Sequence, residues 1–219
     1  MISPGTGLGH RQMAEGKGAP APGSVTLSAA TVARIRRSKA LYPFPRSAVL
    51  PALWAVQDQL GYLAPEGLTA VATELGLEPS EVEAVSTFYS MYFQHQPGRH
   101  LIQVCRNVSC GLRGADELLH HLETALGVED GETTPDGVFT LEGTVECLGA
   151  CVNAPILQVN DDFYEDLDGQ ATEALLDALR ARNPPPSGSM IGRHGSEPIT
   201  GRTTLTEPTR DAGAGSERT

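Results

Sequence analysis

Apolar positions between residues 26 and 97 recur at helical spacing. Val32, Ile35 and Leu41 form a first run, which Ser28 or Thr31 can cap and Pro43 and Pro45 close. Ser47 opens a second, carrying Val49, Leu53, Val56 and Leu60 and ended by Gly61. A third starts at Pro65, sets Leu68, Val71, Ala72 and Leu75 on one face, and stops at Gly76. Pro79, Ser80 and Glu81 lead into a fourth with Val82, Val85, Tyr89 and Tyr92 on one side. Short helices with brief connections predict a small bundle. Trp54 belongs in its core, as does most of the aromatic group Phe88, Tyr89, Tyr92 and Phe93. A bundle this small leaves part of that group free to face a partner protein.

Across residues 98–183 the pattern changes. Residues 101–104 are a short apolar run of strand type, and 105–111 read as a loop. A helix follows with Leu118, Leu119, Leu122 and Leu126 on one face, closed by Gly127. Residues 129–137 are acidic and turn-rich, then 138–141 and 144–145 read as strand. Residues 156–159 and 163–167 form a hairpin about Asn160, Asp161 and Asp162. Asp168 caps a last helix through Leu175, Leu176 and Leu179. The order β-α-β-β-β-α with a closing helix predicts a thioredoxin-like α/β domain. The expected fold class is therefore α+β, a helical bundle at 26–97 followed by an α/β domain at 98–183.

Residues 1–25, rich in Gly, Pro and Ala, and residues 184–219, which follow three prolines with scattered Gly, Ser and Thr and few large apolar side chains, both read as disordered tails. Met13 offers an alternative start. The N-terminus lacks the apolar stretch of a secretory signal, and no run reaches the roughly 20 apolar residues of a membrane span. A cytosolic location without membrane insertion follows as the expectation. The net charge of −11 argues against nucleic acid as a partner and otherwise reads as solubility.

Candidate chemistry rests on the four cysteines, which are all the chain has. Cys105 and Cys110 lie in VCRNVSCGLRG, and Cys147 and Cys151 in VECLGACVNAP, each pair after a strand-like run. In a reducing compartment disulfides are disfavoured. A thioredoxin-type redox dithiol requires C-x-x-C, which neither pair has. Two readings stay open: a structural zinc tetrathiolate, compatible with the first spacing, and an iron–sulfur cluster, whose plant-type form also opens C-x4-C. Ligand number alone does not separate [2Fe–2S] from [4Fe–4S]. Gly111, Gly114, Gly149, Ala150 and Ala154 keep both loops small, so backbone N–H groups can reach the sulfurs. His95, His100, His120 and His121 read as polar or solvated residues rather than ligands. The chain has no dinucleotide fingerprint, phosphate loop or acid–base constellation, so no catalytic residue is assigned.

The stretches VCRNVSCGLRGA and VECLGACVNAPILQVNDDFYEDL resemble the thioredoxin-like [2Fe–2S] ferredoxin subunit of respiratory complex I, the NADH:quinone oxidoreductase. GYLAPE and VSTFYSMYF resemble that family's N-terminal region, and the likeness covers roughly residues 30–183. The C-L-G-A-C and N-A-P segment is its most specific part. Asn107, Val108 and Ser109 depart from the usual small-residue run without touching a cysteine. The resemblance implies that Cys105, Cys110, Cys147 and Cys151 are the ligands of one [2Fe–2S] cluster. It further implies docking to a flavin-bearing, NADH-binding subunit, with FMN and NADH on that partner, among the peripheral-arm subunits of complex I. The place implied is the cytoplasmic face of the inner membrane, within a membrane-bound complex. Related subunits serve NAD-linked hydrogenases and formate dehydrogenases, and a zinc-stabilised interaction module is the reading from a different class.

Overall fold

The computed structural model describes residues 25–144 and 146–201. Of the expected tails, 1–24 and 202–219 lie outside the described residues.

Helix α1 (Ala29–Leu41) starts where the Ser28 side chain accepts the Thr31 N–H, so Ser28 is the cap. A 3-10 turn (Pro45–Ala48) precedes α2 (Val49–Leu60), which therefore begins two residues after Ser47 and without a side-chain cap. Helix α3 (Pro65–Leu75) has Pro65 at its first turn and Gly76 at its end, as its sequence predicts. Helix α4 (Pro79–Phe88) is opened by a capping box in which Glu78 and Glu81 satisfy each other's backbone N–H groups. It ends at Phe88, a turn earlier than the spacing of Tyr89 and Tyr92 predicts. Tyr92 instead folds back against Trp54 and donates its hydroxyl to the Leu50 carbonyl. One core holds the four helices together, built from Ile35, Leu53, Val56, Val71, Leu75 and Val82 among others.

The α/β part is a five-stranded sheet in the order β2-β1-β3-β4-β5. Strand β1 (His100–Cys105) lies between two neighbours, parallel to β2 (Phe139–Thr144) and antiparallel to β3 (Ile156–Val159). Strand β4 (Asp162–Glu165) completes the hairpin with β3. The parallel pair is joined by a crossover through α5 (Val108–Leu112) and α6 (Ala115–Leu126). Asp168 caps α7 (Gly169–Arg180), its carboxylate accepting the Ala171 N–H at 2.8 Å. Side chains alternate across a strand. Ile102, Val104, Leu157 and Val159 face the core shared with Leu119, Leu122, Leu175 and Leu179 of α6 and α7. Cys105 and Ile156, one position out of step, belong to a second small cluster with Cys110, Ala115 and Ala154.

Three expectations need correction. The loop at 105–111 contains a helix, α5; at five residues it is too short for a periodic pattern to mark it. The strand pieces at 138–141 and 144–145 are one strand through Gly143, with Val145 outside the described residues. The segment 184–201, expected to be part of a disordered tail, packs on the sheet. Its strand β5 (Gly188–Ser189) pairs with β4, and Met190 donates its N–H to the Glu165 carbonyl. Met190 packs against the sheet core, and the rest of the segment's hold is polar, through Ser189 and Arg193 to Asp166, which a count of large apolar residues misses.

The chain enters β1 past Gly98, whose N–H donates to the Thr140 hydroxyl at 2.6 Å. A Cβ placed on Gly98 would lie 2.8 Å from the Phe139 carbonyl carbon.

Candidate metal centre

Parallel pairing decides where the cysteines meet. Cys105 is the last residue of β1 and stands in register with Thr144, the last residue of β2. Both strands thus deliver their following loops to one end of the sheet, the carboxyl end where α/β folds bind ligands. The first loop turns into α5, started by Asn107 accepting the Val108 N–H, and this carries Cys110 back over Cys105. The second loop leaves β2 beside Cys105, steadied by the Thr144 hydroxyl, which donates to the Val104 and Glu146 carbonyls. It brings Cys147 and then Cys151, in a 3-10 turn (Cys151–Asn153), to the same place. The peptide between Ala154 and Pro155 is cis, and β3 follows directly.

All four cysteines are free thiols. Cys105 and Cys110 are buried, whereas Cys147 and Cys151 are exposed with their sulfurs 3.2 Å apart. Burial first, then the neighbouring Cys105 thiol, pushes the Cys110 thiol up to about 12. The Cys151 thiol, then the Gly149 N–H, hold Cys147 below the ordinary thiol range, and Cys105 adds to this. Cys147 in turn raises Cys151, while the Ser109 hydroxyl acts against that rise. Backbone N–H groups of Gly149 and Ile156 and the Ser109 hydroxyl are thus aimed at sulfur. Gly149 reaches its place with φ +99°, a conformation that favours glycine. Donors of this kind stabilise an anionic metal–sulfur group. The thiols meet as two pairs; among the described residues no group of three or more ligands is set to hold a single metal ion.

His100, His120 and His121 lie on β1 and α6, outside the two cysteine loops. His100 opens β1, five residues from Cys105, with its ring against Phe139. His120 is exposed beside Glu123. His121, expected to be solvated, is instead partly covered and lies 3.5 Å from Glu173 of α7.

The family model of thioredoxin-like [2Fe–2S] ferredoxins matches residues 35–180, a span that includes both cysteine pairs. The chain belongs to this family. It is 49% identical over 147 residues to a subunit of the NADH-quinone oxidoreductase of Rhizobium meliloti, covering 67% of this chain and 87% of that one. The match to NADH-quinone oxidoreductase subunit 2 of Thermus thermophilus is 46% over 138 residues, 62% and 75% of the two chains. With the mitochondrial NADH dehydrogenase [ubiquinone] flavoprotein 2 of Dictyostelium discoideum it is 40% over 178 residues, 80% and 72%. A solved structure of an NAD+-reducing [NiFe]-hydrogenase in its air-oxidised state aligns with TM-score 0.53 at 28% identity, covering 60% of this chain and 23% of that one. The thioredoxin-like ferredoxin fold expected for residues 98–183 is therefore the family's fold, and the family's cofactor is a [2Fe–2S] cluster.

Three features of the site have roles not assigned from the sequence. Ser109 lies in the run that departs from the family pattern, yet its hydroxyl serves Cys151. Val108 and Leu112, on the helix that carries Cys110, and Val152, next to Cys151, are exposed apolar side chains. Asn153, within the N-A-P segment, is buried and donates its amide to the Glu165 carboxylate at 2.5 Å and the Gly195 carbonyl at 2.8 Å.

Proposed function

We propose that this chain is the electron-carrier subunit of an NADH:quinone oxidoreductase, with Cys105, Cys110, Cys147 and Cys151 as the ligands of one [2Fe–2S] cluster. The observation that carries the reading is the meeting of two thiol pairs at one sheet end within the family match. Two pairs fit two irons, each needing two thiolates. When bound, the cluster supplies one-electron chemistry. The chain's own residues hold the four sulfurs, aim N–H and O–H donors at them, and keep the first pair from water. NADH gives two electrons together, so the flavin that separates them is on a partner chain. The exposed Val108 and Leu112 beside Cys110 and Val152 beside Cys151 offer that flavoprotein an apolar contact next to both pairs.

Among the described residues no helix is long and apolar enough to cross a membrane. A peripheral place on the cytoplasmic face of the inner membrane, where NADH is available, fits this reading. The likeness to the hydrogenase supports a second parent, an NAD-linked hydrogenase, but the relatives at 49% and 46% identity are quinone-oxidoreductase subunits.

Anaerobic reconstitution should give about two irons and two acid-labile sulfides per chain, and a one-electron EPR signal on reduction. NADH should reduce the cluster only in the complex with the flavoprotein. Stoichiometric zinc in protein purified without oxygen or added metal, colourless and without iron, would establish the interaction module instead.

A further inference from the structure

The family match ends at residue 180, yet residues 188–199 return to the cysteine site. At their centre is Arg193. Its Nε donates to Asp166 Oδ2 at 2.9 Å and its Nη2 to Asp166 Oδ1, a two-pronged pair with side chains only 12% and 6% exposed. Nη2 also donates to the Val152 carbonyl at 3.2 Å, one residue from Cys151, and Nη1 to the Glu197 carbonyl at 3.0 Å. The Ser189 hydroxyl donates to Asp166 Oδ2 at 2.6 Å. Burial works to raise the Asp166 carboxyl, but Arg193 and Ser189 overcome it and hold the group ionised below the usual range. Asn153 adds its own bond from the loop to Gly195.

The second cysteine loop has need of such a support. Its described residues lie on no strand or long helix, and both its cysteines are exposed. Behind it lies a cleft of about 300 Å³, bounded by Arg113, Cys151, Val152, Asp166 and Arg193.

We propose that residues 188–199 form a strap that fixes the Cys147–Cys151 loop, and that Arg193 is its positioning residue, holding Val152 and hence Cys151 in place for the second thiol pair. A planar guanidinium suits this junction because it meets a carboxylate with two N–H groups and keeps others for carbonyls. Lysine offers a point charge that cannot span the three acceptors. The inference rests on the four-thiolate reading for its redox meaning, while the strap's hold on the loop is independent of it.

The test uses the full chain and the variants Arg193→Ala and Arg193→Lys. Deuterium exchange is measured across residues 146–153 and 100–112, and the cluster-loaded proteins are challenged with an iron chelator. Partners one step removed from a metal change its retention by about ten-fold or more. Arg193→Ala should therefore bleach about ten-fold faster, with a broadened EPR line, and exchange faster at 146–153 but not at 100–112. Arg193→Lys should fall between it and the unaltered chain. Equal acceleration in both segments would overturn the proposal, because the arginine would then serve general stability only. So would unchanged exchange and bleaching in Arg193→Ala. If Arg193→Ala takes up no cluster, exchange and the lysine variant still decide. An unaltered chain that takes up no iron, with exchange at 146–153 still dependent on Arg193, would sink the four-thiolate reading and uphold the strap.

Discussion

Cys105 and Cys110 are carried by a strand end and a helix and have almost no exposed surface, whereas Cys147 and Cys151 stand in the open on a loop. The first pair is held by the core: Ile156, Ala115 and Ala154 pack around it. The second is held by polar reach from outside, through Thr144, Asn153 and Arg193. One pair thus needs shielding from water, and the other needs fixing while it stays accessible to a partner. A site that must exchange electrons with another protein has reason to keep one side buried and the other in contact.

The comparison predicts loss of function from either side. Replacing any one of the four cysteines by Ala should remove most of the bound iron and the visible spectrum, whether the residue is buried or exposed. A Cys151→Ala chain with an intact spectrum would make the exposed pair a bystander.

Below that in size comes Ile156→Ala, which empties space beside the buried pair. It should cost about 2–5 kcal/mol in chemical denaturation and loosen Cys105 and Cys110 before it affects Cys147. In the metal-free chain, alkylation followed by mass spectrometry should find Cys147 and Cys151 at least about ten-fold more reactive than Cys105 and Cys110. Similar rates for all four would erase the asymmetry. Asn107→Ala, which removes the cap of α5, should cost about 1 kcal/mol and expose Cys110 alone.

The smallest effect is a control on pH. Burial first, and then the Arg99 charge, hold His100 below its ordinary 6.5, so the unfolded chain binds the proton more readily. Stability should then fall as pH drops through and below about 6.5, as followed by thermal melts. His100→Gln should flatten that slope without altering the thiol reactivities, since His100 lies at the far end of β1.

Regular elements with firm punctuation are legible in the sequence. Pro65 and Gly76 bracket α3 there as in the structure, and Asp168 caps α7. The meeting of the cysteine pairs at one sheet end follows from the two strand-then-loop patterns. Helix α5 is not legible, because five residues with a glycine among them are too few for a periodic pattern. The end of α4 escapes because Tyr92 keeps an apolar role after the helix has stopped, supplied by Trp54 and the Leu50 carbonyl. The strap escapes for a different reason. Its hold depends on Asp166 and Arg193, 27 residues apart, and such a contact has no local signature.

Gly98 carries a consequence for the whole chain. The path from the helices into β1 passes so close to Phe139 that a single methyl group would collide with the backbone there. The helical half is in effect hung on the sheet by a hook with no clearance. Lengthening or shortening the connection elsewhere would leave that hook intact, but Gly98→Ala would lift it from β2. How closely the chain can pass β2 on its way into β1 is thus set by one residue's missing side chain, far from any sulfur.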